Sequence, residues 1–117
     1  MSDKELLELA AKAAGYIVDE YVSSGLWVYE RNASWKEVKP PIFLWNPLKN
    51  DGNALRLAVK LNIECVFFDD MQAVNAGVWS EDSKPYDCMV PYGGDKQAAT
   101  RRAIVSAATE IGRLTKE

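Results

Sequence analysis

Asp51 and the pair Asp69-Asp70 carry the side chains best suited to hold a hard cation, since carboxylates supply the oxygen donors that Mg²⁺ and Ca²⁺ require. The same residues suit plainer roles, Asp51 at a helix start and Asp69-Asp70 as the acidic turn ending an apolar run. The alternating acids and terminal Glu of a calcium loop are absent. Gly93-Gly94 ahead of a helical stretch has the outline of a phosphate cradle. No Lys-Ser or Lys-Thr follows at P-loop spacing, and Asp95 puts a negative charge at the helix start, so a turn and cap is the reading. Arg101 and Arg102, with Lys96 and Arg113, could contact phosphates from the C-terminal helix. Adjacent arginines diverge by about 100° around a helix, so they make no clean basic face. Salt bridges to nearby acids are the alternative.

The chain has no histidine, which removes Ser-His-Asp and Cys-His nucleophiles, imidazole metal ligands and imidazole proton shuttles. Two cysteines, Cys65 and Cys88, are too few for a structural zinc site within one chain. Both sit in strand-like apolar runs and read as reduced, buried thiols, with a disulfide between neighbouring strands as the lesser alternative. Carboxylates, Lys and Tyr nowhere form an acid–base pair at readable spacing. No catalytic residue, metal or cofactor is therefore expected. The aromatic residues are the better lead. Trp45 and Trp79 fit core or anchor roles, whereas Trp27, Tyr29 and Trp35 lie in a more polar region and suit an interface. Closing the edge of the core is the equal alternative for them.

These residues sit in 117 positions with 14 basic and 17 acidic side chains, a net charge of -3 and 48% hydrophobic content. That is enough chain for one domain spanning 1–117 with its own core. Mild acidity works against bulk attraction to nucleic acid. No apolar run approaches the roughly 20 residues that cross a bilayer, and the start, Met1-Ser2-Asp3-Lys4-Glu5, has no signal-peptide pattern. A cytoplasmic protein without membrane contact is the expectation.

Ser2 and Glu5 have capping-box spacing, and Leu6, Leu7, Leu9, Ala10, Ala13 and Ala14 give a helical face ending before Gly15. The spacing predicts a helix over 2–14. Ile17 and Tyr21 would continue it to Val22, but Tyr16-Ile17-Val18 and Leu26-Trp27-Val28-Tyr29 favour a hairpin turning at Ser23-Ser24-Gly25. Ile42 to Trp45 is a short strand candidate. A second helix should begin near Asn50-Asp51, with Leu55, Ala58 and Val59 inward, Leu57 and Leu61 widening that stripe, and Arg56 and Lys60 outward. Ile63 to Phe68 reads as a buried strand, and Ala73 to Trp79 and Tyr86 to Tyr92 as two more. Asp95 caps a third helix with Ile104, Ala107, Ala108, Ile111 and Leu114 as its apolar stripe. The order α-β-β-(β)-α-β-β-β-α with short connections predicts an α+β fold, a mainly antiparallel sheet packed by three helices. Helices on both faces would make it a three-layer α/β/α sandwich.

Three blocks carry a family resemblance. Glu5 to Gly15, then Trp45-Asn46-Pro47-Leu48 with Asp51-Gly52 and Ala54 to Leu61, then Ala98 to Val105 with Ala107, Ala108 and Glu110 to Arg113, together resemble a family of small tailed-phage and prophage proteins with an α/β/α-sandwich domain. Asn53 and Lys49-Asn50 stand where that family commonly has acidic residues, a departure that weakens any metal-loop reading. The resemblance implies phage origin and a helix-sheet-helix fold, and it implies no catalytic residues. The resulting expectation is a non-catalytic phage or prophage accessory protein in the bacterial host cytoplasm that binds a host or phage protein, such as a host defence or metabolic factor. Nucleic-acid binding through Arg101 and Arg102 is the alternative, and a homodimer through the Trp-rich edge stays open.

Overall fold

Residues 1–30, 41–78 and 88–115 are described by the computed structural model. Helix α1 spans Asp3–Ala14. The Ser2 hydroxyl accepts from the Glu5 amide at 3.2 Å and the Glu5 carboxylate accepts from the Ser2 amide at 3.4 Å, which satisfies donors left orphaned at the helix start. The helix stops at Gly15, and the chain enters β1 (Tyr16–Val22) rather than continuing helical to Val22. β2 (Gly25–Glu30) and β3 (Phe43–Trp45) complete an antiparallel sheet in the order β1-β2-β3. Gly25 sits at φ 137, and a Cβ there would come within 2.6 Å of the Trp45 carbonyl, so only glycine lets β3 close on this turn.

The turn after β3 is held by amides. Asn46 Nδ2 donates to the Ser24 carbonyl at 2.9 Å, and the Asn53 carboxamide oxygen accepts from the Asn46 amide at 2.8 Å. Helix α2 (Asp51–Leu61) starts here with Asn50 as its cap. β4 (Ile63–Phe68), β5 (Ala73–Val78) and β6 (Cys88–Pro91) form a second antiparallel sheet, and α3 (Lys96–Leu114), capped by Asp95, closes the described chain.

The α+β class and the antiparallel pairing agree with the sequence reading, but the strands divide into two three-stranded sheets. α1 covers β1 and β2, while α3 covers β4, β5 and β6. One hydrophobic cluster runs through both, from Leu26, Val28 and Trp45 to Val74 and Ala76.

The two halves meet where α1 lies on α3. Contacts advance in step along both helices: Arg102 reaches Asp3, the Thr109 hydroxyl donates to the Leu6 carbonyl at 3.0 Å, and Gly112 lies against Leu9. The helices therefore run parallel. A Cβ on Gly112 would overlap the Leu9 carbonyl, and Ala103, Ala107, Ala108, Ala10, Ala11 and Ala14 are all buried nearby in the core. Small side chains here let backbone approach backbone.

Three expectations for the apolar faces change. Leu55 and Val59 are 64% and 69% exposed, so the inward stripe of α2 is Ala54, Leu57 and Ala58. The inward stripe is shifted by one residue, so that Ala54, Leu57 and Ala58 join the core cluster. β4 is not wholly buried: Ile63 is, but Glu64, Val66 and Phe67 are exposed, because β4 is an edge strand. On α3, Val105 and Thr109 join the core and Leu114 is exposed beyond it.

Cys65 and Cys88, both half-buried, register against Ala76, one on each side of β5. Two strand spacings put them about 10 Å apart, beyond the reach of a disulfide. The strands are not neighbours, which removes the disulfide alternative.

Gly112→Ala tests the helix crossing with opposed expectations. Helix propensity alone would stabilise the variant by up to about 1 kcal/mol, whereas overlap with Leu9 is expected to destabilise it by about 2 kcal/mol or more. Urea unfolding gives the sign. Thr109→Val, which keeps the shape and loses the bond to Leu6, is expected to cost about 1 kcal/mol in the same assay.

Candidate functional site

The β1–β3 sheet has two unlike faces. Tyr16, Val18, Leu26, Val28, Phe43 and Trp45 belong to the core or pack against it, with Tyr16 set edge-on to Phe43 at 5.5 Å and to Trp45 at 5.4 Å. Strand alternation sends Trp27 and Tyr29 to the other face. Trp27 registers against Leu44 of β3, and Tyr29 against Ile17 of β1. Trp27 and Leu44 are 36% and 39% exposed, so a cross-strand apolar pair lies open on the outer face. The register slips between Val18 and Glu20, a bulge that brings Glu20 opposite Trp27 and places exposed Asp19 beside it. The aromatic face thus has an acidic margin on its β1 side.

Trp27 and Tyr29 therefore share a surface, as the sequence suggested. Trp35 lies outside the described residues. Ile17 and Leu44 complete the face and were missed, because their partnership appears only when three strands are in register.

Arg101 and Arg102 are elsewhere, on α3, and neither forms a free basic strip. Arg101 is largely enclosed. It donates to the Leu48 carbonyl at 2.9 Å and to Asp51 at 2.6 Å, tying α3 to the start of α2. Arg102 faces Asp3 of α1 at 3.7 Å, and Arg113 pairs with Glu110 at 2.8 Å. Lys96 meets Asp69 at 3.0 Å. All four cations proposed for a phosphate surface have carboxylate partners, which is the salt-bridge alternative.

Between α2, α3 and β4 runs a groove of about 340 Å³. Ala54, Leu55, Phe67 and Ile104 give it apolar walls, and the Asp51–Arg101 and Lys96–Asp69 pairs bring charge to its surroundings. Asp69 also accepts the Tyr92 hydroxyl at 2.6 Å, and Lys96 lies over the rings of Phe67 and Tyr92 at 4.9 and 5.4 Å. Burial first, then the bond to Asp69, pushes the Tyr92 phenol up to about 12. The Tyr92 hydrogen bond, then Lys96, holds the Asp69 carboxyl below its ordinary value. A tyrosine poised as a base needs the opposite shift. The cluster instead pins the β4–β5 turn to the start of α3. Asp51 and Asp69 are thus both engaged by cations, and among the described residues no group of three or more Asp, Glu or Cys side chains is placed to hold a metal ion. Among those residues, too, no helix is long and apolar enough to cross a membrane.

Comparisons with protein-family models, with curated proteins and with solved structures give no match to this chain.

The Asp69–Tyr92 pair predicts opposed pH effects. Asp69, with a depressed value, contributes stability that is present above its ordinary value near 3.8 and lost as pH falls through the lower folded value. Tyr92, with a raised one, contributes stability that is present below its ordinary value of 10 and lost as pH rises towards about 12. Asp69→Asn should bring the late phenolate step, followed by ultraviolet absorbance, down from about 12 without returning it fully to 10, because burial is retained.

Proposed function

We propose that this chain is a non-catalytic interaction protein of phage or prophage type, working in the bacterial host cytoplasm, which binds a host or phage protein through the outer face of the β1–β3 sheet. The observation that carries this is the open Trp27–Leu44 pair, flanked by Tyr29 and Ile17. An exposed tryptophan beside a half-buried tyrosine on one strand gives large contact area at small entropic cost, as interface anchors do. The phage context comes from the three sequence blocks, and inhibition of a host factor would suit it.

The acidic margin at Asp19 and Glu20 favours a protein over a nucleic acid as partner. Aromatic platforms that stack bases sit in cationic surroundings, and carboxylates beside Trp27 repel phosphate. Pairing of Arg101 and Arg102 with acids supports the same choice.

Affinity capture from host lysate, with and without nuclease, tests the reading. One protein should be retained after nuclease treatment, and Trp27→Ala or Leu44→Ser should release it, weakening binding by about tenfold or more. Retention of that protein by both variants would place the interface elsewhere. Partners lost only with nuclease would return the arginines of α3 to consideration.

A further inference from the structure

The outer face of the β1–β3 sheet has a charge pattern that its aromatic pair alone does not explain. Register lines up Glu20 of β1, Trp27 of β2 and Leu44 of β3, so acid, aromatic and aliphatic side chains follow one another across the strands. The slip between Val18 and Glu20 adds Asp19 to the acidic end, and both carboxylates are exposed. Neither has a hydrogen-bond or ion-pair partner among the described residues, whereas Asp3, Glu30, Asp51, Asp69 and Glu110 each hold a cation. Lys4 and Lys60 reach this sheet from its core side, over the rings of Tyr21 at 5.7 Å and Tyr16 at 4.5 Å. Tyr21 registers against buried Leu26, and Tyr16 packs against the core. Charge and a bulge on an edge strand guard it against strand addition. That role is met by either sign of charge and asks for no open tryptophan alongside.

We infer, resting on the assignment of this face as the interface, that its occupant is an arginine-bearing segment of the partner protein. The guanidinium lies on Trp27 and pairs with Glu20, while an apolar side chain of the same segment covers Leu44. Residues directly opposite on neighbouring strands stand about 5 Å apart, so a group resting on the Trp27 ring is within reach of the Glu20 carboxylate. A guanidinium is planar and can stack on a ring and fork to a carboxylate at once. An ammonium is a compact, strongly hydrated point charge, which favours arginine over lysine here. A point between Glu20 and Trp27 is about 7 Å from Leu44, one and a half strand spacings. That separation places the arginine and the apolar residue two positions apart in an extended segment, or four in a helical one.

Selection of a random linear peptide library on the full chain, with Trp27→Ala as the counter-selection, tests it. Peptides that need Trp27 should be enriched in arginine with an apolar residue two or four positions away. For one such peptide, followed by fluorescence anisotropy, replacing the arginine with citrulline keeps the shape and removes the charge. Binding should weaken by about tenfold or more. Glu20→Lys, at an exposed strand position that stays charged, should weaken binding by a similar factor with an unchanged circular dichroism spectrum. Added salt should weaken the wild-type complex. Trp27-dependent peptides without arginine, or binding indifferent to citrulline or to Glu20→Lys, overturn the inference and leave the face as the interface. A library that yields no Trp27-dependent binder overturns both.

Discussion

The contact between the Gly112 backbone and the Leu9 carbonyl sets the distance between α1 and α3, and most of the structure follows from it. Each helix covers its own sheet, α1 the β1–β3 sheet and α3 the β4–β6 sheet. Where the helices touch, the apolar surfaces of the two halves join one cluster, to which α2 adds Ala54, Leu57 and Ala58. The buried Thr109 hydroxyl fits the same requirement, since a polar group in so tight a crossing must find a partner, and the Leu6 carbonyl provides it. Parallel alignment also sets the N-terminal turn of α1 beside the second turn of α3, where Arg102 meets the Asp3 carboxylate.

α3 then organises the charges. Its cations are used to hold neighbouring elements: Arg101 the start of α2, Lys96 the β4–β5 turn, Arg102 the start of α1. Exposed ion pairs contribute little stability individually, but their geometry has a consequence for function. Cations engaged by carboxylates present a nearly neutral surface, so a chain of net charge -3 keeps no concentrated basic patch on this helix. The largely enclosed Arg101 is the exception in energy, because it satisfies a backbone carbonyl and a carboxylate together.

What these tethers leave uncovered are two apolar faces of different character. The sheet face around Trp27 is flat, aromatic and bordered by acids, which suits a foreign protein surface with complementary charge. The α2 face is aliphatic, with Leu55 and Val59 exposed beside Arg56. Among the described residues, the Tyr92 phenol is shifted away from reactivity by its burial and by Asp69.

Local rules were legible in the residues. The Ser2–Glu5 box, the Gly15 stop, the Asp95 cap, the hairpin at Ser23–Gly25 and the strand beginning at Ala73 each depend on neighbours within a few positions, so their chemistry is written in the chain order. Which side of α2 faces inward was not legible. Leu55, Leu57, Ala58, Val59 and Leu61 offer two nearly equivalent stripes, and the choice fell to packing against elements distant in the chain, α3 foremost. The division of six strands into two sheets, the Trp27–Leu44 pair and the separation of Cys65 from Cys88 have the same origin. Each depends on strand register and helix crossing, which are long-range contacts. Chain order was enough to define the elements, their caps and an α+β class without histidine chemistry. Which apolar side chains are core and which are surface emerged only on folding, because that depends on what packs against them.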